Sequence, residues 1–131
     1  MTDFIFEVRT QKSFEEMVEA IEAHTQVNGF RVLHTHDVQA TLAEKGFIRE
    51  PLKIIEVCNA KYAYQALNIE ATVSLLMPCR INVYIEGEQT LISTLRPSAF
   101  VHMFEKPELE NFAADLDRAL IKIIESTIYS E

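Results

Sequence analysis

Two cysteines stand at positions where a side chain can do chemistry. Cys58 ends one apolar run and directly precedes Asn59, and Cys79 begins a second apolar run after Pro78. Asn59 is a good N-cap residue, so Cys58 is expected beside a helix N-terminus, where unpaired amides stabilise a thiolate and lower its pKa. This placement predicts a nucleophile or an anion-binding position. The alternative is that both cysteines are small buried core residues, as free cysteines commonly are.

The two apolar runs bring Cys58 and Cys79 to one cleft if they form neighbouring strands. A dithiol there could exchange electrons, hold a soft metal or carry sulfur. A disulfide requires the two Cα atoms to lie within about 7 Å, and the spacing of the cysteines is not that of a C-x-x-C motif. The sequence therefore predicts a cleft that contains Cys58 and Cys79 and leaves the state of the thiols open.

Two histidines are candidates for metal binding or general base catalysis. His34 and His36 lie two positions apart on a predicted strand at 30–36, so both side chains are expected on the same face as Val32. Two imidazoles at this spacing suit one metal ion, with Cys58 or Cys79 as further candidate ligands. Either histidine could also act as the base for a Cys58 nucleophile. The alternative is a pair of polar residues at a solvated sheet edge.

Three polar residues beside the cysteines are candidates for ligand binding. Arg80 follows Cys79 and could bind a carboxylate or a phosphate, although an exposed cross-strand pair is the alternative. Asn59 could help to position the same anion. Glu56 is the one carboxylate in an apolar strand and shares a face with Cys58, so we expect it to line the same pocket.

Composition and motifs exclude several classes of function. The chain has 20 acidic and 12 basic residues, for a net charge of −8, which argues against nucleic acid or an anionic membrane as a partner. No apolar run is long enough to cross a membrane, and the first residues, MTDFIFE, do not resemble a signal peptide. Two cysteines in such a chain favour free thiols and a cytoplasmic location. The chain lacks the P-loop, Rossmann, nucleophile-elbow and zinc-protease motifs, so no cofactor is assigned.

Helical and strand-like patterns alternate along the chain. Strands are predicted at 4–8, 30–36, 52–57, 79–85 and 90–95. Helices are predicted after the N-caps Ser13, Asp37 and Asn59, and a last helix is predicted to begin at Pro107. Ser13 with Glu16 forms a capping box. Residues 69–77 are predicted as a loop with one short turn. In the strand at 79–85, one face is expected to carry Cys79, Ile81, Val83 and Ile85.

These elements predict one α+β domain over residues 1–131. Its fold is a two-layer sandwich, in which a mostly antiparallel sheet carries helices packed on one face. The opposite face of the sheet is either solvated or covered by a second copy of the chain. A homodimer is expected, because symmetric dimers are the commonest oligomers.

Three segments resemble a known family. They are VQATLAEKG at 38–46, EVCNAKYA at 56–63 and LMPCRINVY at 76–84. The pattern resembles the bacterial and archaeal family numbered 302 among the domains of unknown function, over about residues 5–100. Members often have proline after the Cys-Asn pair, where this chain has Ala60. The resemblance implies the small TT-type α+β fold, a dimer, and a cleft around Cys58 and Cys79, but it implies no reaction.

The function predicted from the sequence is a dimeric binding protein with a Cys58/Cys79 cleft. Its ligand would be a small molecule, a soft metal or a sulfur species. One alternative is a thiol-dependent enzyme with Cys58 as the nucleophile. The other is a structural or interaction domain whose thiols lie in the core.

Overall fold

A five-stranded antiparallel sheet forms one layer of the protein. The computed structural model describes residues 3–129. The strands are β1 (Ile5–Thr10), β2 (Arg31–Asp37), β3 (Leu52–Cys58), β4 (Cys79–Glu86) and β5 (Gln89–Leu95). They are arranged in the order β1-β5-β4-β3-β2, and every neighbouring pair is antiparallel.

Helices form the second layer. The α-helices are α1 (Phe14–Val27), α2 (Val38–Ala43), α3 (Ala60–Ile69) and α4 (Glu108–Tyr129). Short 3₁₀ helices cover Ala71–Leu76, Pro97–Ala99 and Val101–Phe104. Helix α1 contacts α4 and strands β2, β3 and β4, and helix α3 contacts α4. Helix α2 contacts β3. The predicted fold class, an α+β sandwich with helices on one face of an antiparallel sheet, is confirmed. No helix within residues 3–129 is long and apolar enough to cross a membrane.

Local sequence signals start two of the helices. The Ser13 side chain accepts a hydrogen bond from the Glu16 amide at 3.1 Å, and the Glu16 carboxylate accepts one from the Ser13 amide at 3.4 Å. This is the predicted capping box, and it satisfies amides that the first turn of α1 leaves unpaired. Asp37 caps α2 by accepting a hydrogen bond from the Ala40 amide at 2.9 Å.

The main core lies between the sheet and helices α1 and α4. From β4, Ile81 and Val83 are fully buried in it, and Cys79 and Ile85 pack against it. The predicted alternation of this strand is therefore confirmed. The core side chains of the helices are Phe14, Met17, Val18 and Ile21 from α1 and Leu116, Leu120, Ile123 and Ile124 from α4.

A bulge in β2 puts the histidines on the face of the sheet opposite to the predicted one. Val32 pairs with Val57, but His34 pairs with Glu56, and the register shifts between Val32 and His34. An extra residue at Leu33 reverses the alternation, because successive strand residues point to opposite faces. Val32 therefore packs against the core, while His34 and His36 lie on the helix-free face of the sheet. The prediction that they share a face with Val32 is wrong.

The segment predicted as a loop with one short turn is more ordered. Residues Ala71–Leu76 form a 3₁₀ helix of six residues. The Glu70 carboxylate begins it by accepting hydrogen bonds from the amide and the hydroxyl of Thr72. Val73 is buried and belongs to a second apolar cluster with Ala66, Val101 and Leu109. The 3.6-residue pattern is missing here because the helix has a different period.

Candidate functional site

A cavity of about 320 Å³ lies at the end of the sheet where β3 ends and β4 begins. Helix α3, the 3₁₀ helices and the first turns of α4 line it, together with the end of the sheet, where residues of both sheet faces contribute. Its walls are mostly apolar, and its volume lies within the range of small-molecule sites. The apolar lining residues are Ile5, Phe30, Val57, Ala63, Ala66, Val73, Leu76, Met77, Pro78, Leu95, Pro97, Phe100, Val101, Leu109, Phe112 and Leu116.

Three aromatic rings form a row along the cavity wall. Phe30 and Tyr62 have ring centroids 6.1 Å apart, and the centroids of Tyr62 and Phe112 are 5.5 Å apart in an edge-to-face arrangement. These contacts tie α3 to α4 and to the start of β2, and pairs of this geometry stabilise beyond their buried area. The wall is therefore made of packed rings that hold their positions.

Cys58 and Cys79 both line this cavity, but they do not form a dithiol pair. Both cysteines are free. Strands β3 and β4 are neighbours, as expected, yet the residue opposite Cys79 is Val57 and not Cys58. The offset of one residue sends the two side chains toward opposite faces of the sheet, because side chains alternate along a strand. The expectation that the thiols face each other is wrong.

Burial decides the reactivity of Cys79. Removal from water raises the pKa of its thiol from 9.0 to about 11, because the charged thiolate is disfavoured away from solvent. The thiolate is the nucleophilic form of cysteine, so Cys79 is a poor nucleophile at neutral pH. Its position on the core face of β4, beside Ile81, accounts for this.

We expect Cys79 to alkylate slowly and with a steep pH dependence. A pKa about two units above 9.0 lowers the thiolate population near pH 8 by about 100-fold, so iodoacetamide should react about 100-fold more slowly than with an exposed thiol. The rate should rise about tenfold per pH unit until about pH 11. Peptide mass spectrometry of the Cys58→Ala variant gives this rate for Cys79 alone. A rate at pH 8 that equals the rate in urea would contradict this prediction.

Asn59 is the N-cap of α3, as predicted. Its Oδ1 accepts hydrogen bonds from the amides of Lys61 at 3.0 Å and Tyr62 at 3.2 Å. Its Nδ2 donates to the carbonyl oxygen of Gly29 at 3.2 Å, which joins the start of α3 to the turn before β2. The amide is thus occupied by the protein's own backbone. Asn59 positions the cavity wall, and the geometry gives no support to its predicted role in binding an anion.

Glu56 and the histidines lie away from the cavity lining. The Glu56 carboxylate contacts His36 Nε2 at 3.1 Å, and the His34 and His36 rings are 4.3 Å apart. Within residues 3–129, no group of three or more histidine, cysteine or acidic side chains could hold a metal ion. No hydrogen bond or ion pair in the same residues joins a cysteine to a histidine. The predicted sharing of one pocket by Glu56 and Cys58 has no counterpart in the lining.

Arg80 does line the cavity, and its side chain is exposed to solvent. Its Cα lies opposite that of Glu56 in the β3–β4 register, but the Glu56 carboxylate contacts His36 instead. In the part of the chain that the structure describes, no ion pair involves Arg80. This side chain keeps the predicted capacity to bind an anion.

The sequence did not single out most of the cavity wall. Asn82 and Ser93 line it from opposing positions on β4 and β5, and Asn82 Oδ1 is buried without a hydrogen-bond partner among residues 3–129. The alternation of β4 placed Asn82 on the same face as Arg80. This was the one sequence feature that could have indicated Asn82 as a lining residue. The contributions of the two later 3₁₀ helices could not be read locally, because Phe100 and Val101 follow no period.

This geometry defines a small two-layer α+β domain with an apolar cavity at one end of its sheet. The model of the family described as "Domain of unknown function DUF302" matches residues 6–127, and the chain belongs to this family. The resemblance inferred from the three sequence segments is thereby confirmed.

A solved structure shares the whole fold. It is the crystal structure of an uncharacterized conserved protein, DUF302, from Bacillus stearothermophilus. That chain is 32% identical and superposes with a TM-score of 0.89, and the match covers 94% of this chain and 97% of that chain. A search of curated proteins found no significant match.

Proposed function

We propose that the protein binds a small, mostly apolar molecule in the cavity between the end of the sheet and helices α3 and α4. The observation that carries this proposal is the cavity of about 320 Å³ with a mostly apolar wall. Such a concave apolar site, with a few polar groups at one side, is the usual form of a small-molecule site. The class of function predicted from the sequence, a binding protein, is kept. We assign its site to the whole cavity instead of a cysteine pair.

The volume sets the size and affinity of the ligand. A cavity of 320 Å³ corresponds to about ten water molecules, and therefore to a ligand of about ten non-hydrogen atoms. At about 0.5 kcal/mol per atom, the binding free energy is about −5 kcal/mol. This corresponds to a dissociation constant of roughly 0.2 mM for a simple apolar probe.

Octanol is a suitable first probe because it has about this size and carries no charge. Isothermal titration calorimetry should show binding of one octanol per chain. The Ala63→Phe variant places a ring in the cavity, since Ala63 lines it from α3, and should weaken binding by about tenfold or more. Ala60→Phe is the matched control, because Ala60 is exposed on the same helix and does not line the cavity.

The control should bind octanol like the unmodified protein, to within about twofold. Equal affinities of the Ala63→Phe and Ala60→Phe variants would place octanol elsewhere on the protein. An absence of octanol binding at concentrations well above the expected dissociation constant would overturn the proposal.

The other predicted functions find less support. An enzyme with Cys58 as nucleophile needs a base, and no hydrogen bond joins a histidine to Cys58 among the described residues. A soft-metal or sulfur centre needs convergent ligands, and the two thiols leave the sheet on opposite faces. We therefore do not propose these functions. A cytoplasmic location stays a prediction, and it has no further support than the free thiols.

The homodimer also stays a prediction. Large apolar side chains are exposed at Leu33 on the edge strand β2 and at Phe47 and Ile48 in the segment between α2 and β3. Exposed apolar side chains of this kind can form a subunit interface. Sedimentation equilibrium should therefore give about twice the chain mass of 15.0 kDa. A mass of one chain across the accessible concentration range would contradict this prediction.

A further inference from the structure

We infer that the ligand of this cavity is an amphipathic organic acid, whose apolar part fills the cavity and whose carboxylate binds Arg80 at the mouth. This inference rests on the proposed function and names the class of its ligand. Arg80 is the only charged residue among those that line the cavity within residues 3–129. Among the described residues, none of those that line the cavity is acidic, although the chain has 20 acidic residues and a net charge of −8.

The charge of Arg80 is available because its cross-strand neighbour is engaged elsewhere. Glu56 lies opposite Arg80 on β3, which is the position of a cross-strand ion pair. The Glu56 carboxylate instead contacts His36 Nε2 at 3.1 Å, on the far side of its own strand. The guanidinium of Arg80 presents a planar set of donors that matches a carboxylate in two parallel hydrogen bonds.

The exposure of Arg80 places the acid group at the mouth of the cavity. A carboxylate held there keeps contact with water, so it avoids the desolvation penalty of a buried ion pair. Two residues further along the same face of β4, Asn82 presents an Oδ1 that is buried and has no hydrogen-bond partner among residues 3–129. This oxygen offers a carboxylate no donor, so the acid group is assigned to Arg80 and the rest of the ligand to the apolar wall of the cavity. The ligand therefore has one polar end and one apolar end.

The size of the cavity limits the acid to about ten non-hydrogen atoms. Octanoate and phenylpropanoate both meet this limit. They share the carboxylate, but the apolar part is an alkyl chain in the first acid and contains a phenyl ring in the second. The row of Phe30, Tyr62 and Phe112 rings offers stacking surface to an aromatic acid. A linear acid gains only the burial of its apolar surface. The comparison of the two acids therefore shows whether the cavity prefers an alkyl or an aromatic acid.

The test compares ligands that differ only in the charge of the head group. Octanoate, octanol and octylammonium are titrated calorimetrically near neutral pH, and phenylpropanoate is compared with phenylpropanol. At least one acid should bind about tenfold more tightly than its alcohol, and octylammonium should bind more weakly than octanol. The net charge of −8 attracts the ammonium and repels the acids, so a preference for an acid must come from a local cation.

Arg80→Met assigns that cation, because methionine removes the charge and keeps an unbranched side chain. It should reduce the ratio of acid affinity to alcohol affinity to within about twofold, with both affinities measured on the same variant. Arg80→Lys should restore part of the preference. Arg9→Met is the matched control, because Arg9 projects from β1 on the same helix-free face and does not line the cavity. It should keep the full preference.

The outcomes separate this inference from the proposed function. If the alcohols bind and neither acid binds more tightly, the ligand is uncharged, and the inference is overturned while the binding site stands. The same holds if Arg80→Met keeps the acid preference. If octanol does not bind, the proposed function itself fails.

Discussion

Ile81→Ala should lower the free energy of unfolding by about 3–4 kcal/mol. Ile81 is fully buried in β4, the central strand of the sheet, and packs among core side chains of the sheet and the helices. The loss combines the burial of the removed methyl and methylene groups with the cavity that they leave. Urea denaturation followed by circular dichroism measures it as a shift of the midpoint at an unchanged slope.

Ile48→Ala is the control for this experiment. Ile48 is 90% exposed in the segment between α2 and β3, so the same chemical change should alter stability by no more than about 0.5 kcal/mol. Similar losses for the two variants would mean that β4 does not carry the buried face of the sheet. That result would also remove the basis for placing Arg80 and Asn82 on the opposite face.

Asn59→Ala should lower the free energy of unfolding by about 2–3 kcal/mol. About half of this comes from the lost cap, because the amides of Lys61 and Tyr62 lose their acceptor. The rest comes from the carbonyl of Gly29, which loses its donor. Because α3 carries Tyr62, Ala63 and Ala66 in the cavity wall, octanol affinity should fall as well.

Asn59→Asp separates the two parts of this effect. Aspartate is an equally good N-cap, and its negative charge is stabilised by the positive end of the helix dipole. It cannot donate a hydrogen bond to the Gly29 carbonyl. Its loss should therefore be about 1 kcal/mol, which lies between the unmodified protein and the alanine variant. If Asn59→Ala left stability unchanged but weakened the binding of acids, Asn59 would be a ligand group, as the sequence first indicated.

Patterns over a few residues were sufficient for much of the fold. The capping box of Ser13 and Glu16, the N-caps Asp37 and Asn59 and the alternation along β4 are local features, and the structure has all of them. Each depends on contacts between residues no more than four positions apart, or on the period of one strand. Such contacts form wherever the segment lies in the fold.

These local patterns do not contain the strand register. The register decided on which face of the sheet the cysteine and histidine side chains lie. Cys58 lies one position beyond Val57, the partner of Cys79, and the bulge at Leu33 turns His34 away from the core. A shift of one residue moves every later side chain to the other face of the sheet. The packing of both layers sets that register, so the spacing of residues within one strand does not contain it.

The cavity shows the same division most clearly. The sequence by itself determined that Cys79 follows Pro78 at a strand start, that Asn59 starts α3 and that Arg80 alternates away from the core. Only the tertiary structure decided that these residues border one apolar space with Phe112 of the last helix. A cavity exists where elements from distant parts of the chain fail to fill the volume between them. That volume depends on how whole layers pack, which no local pattern encodes.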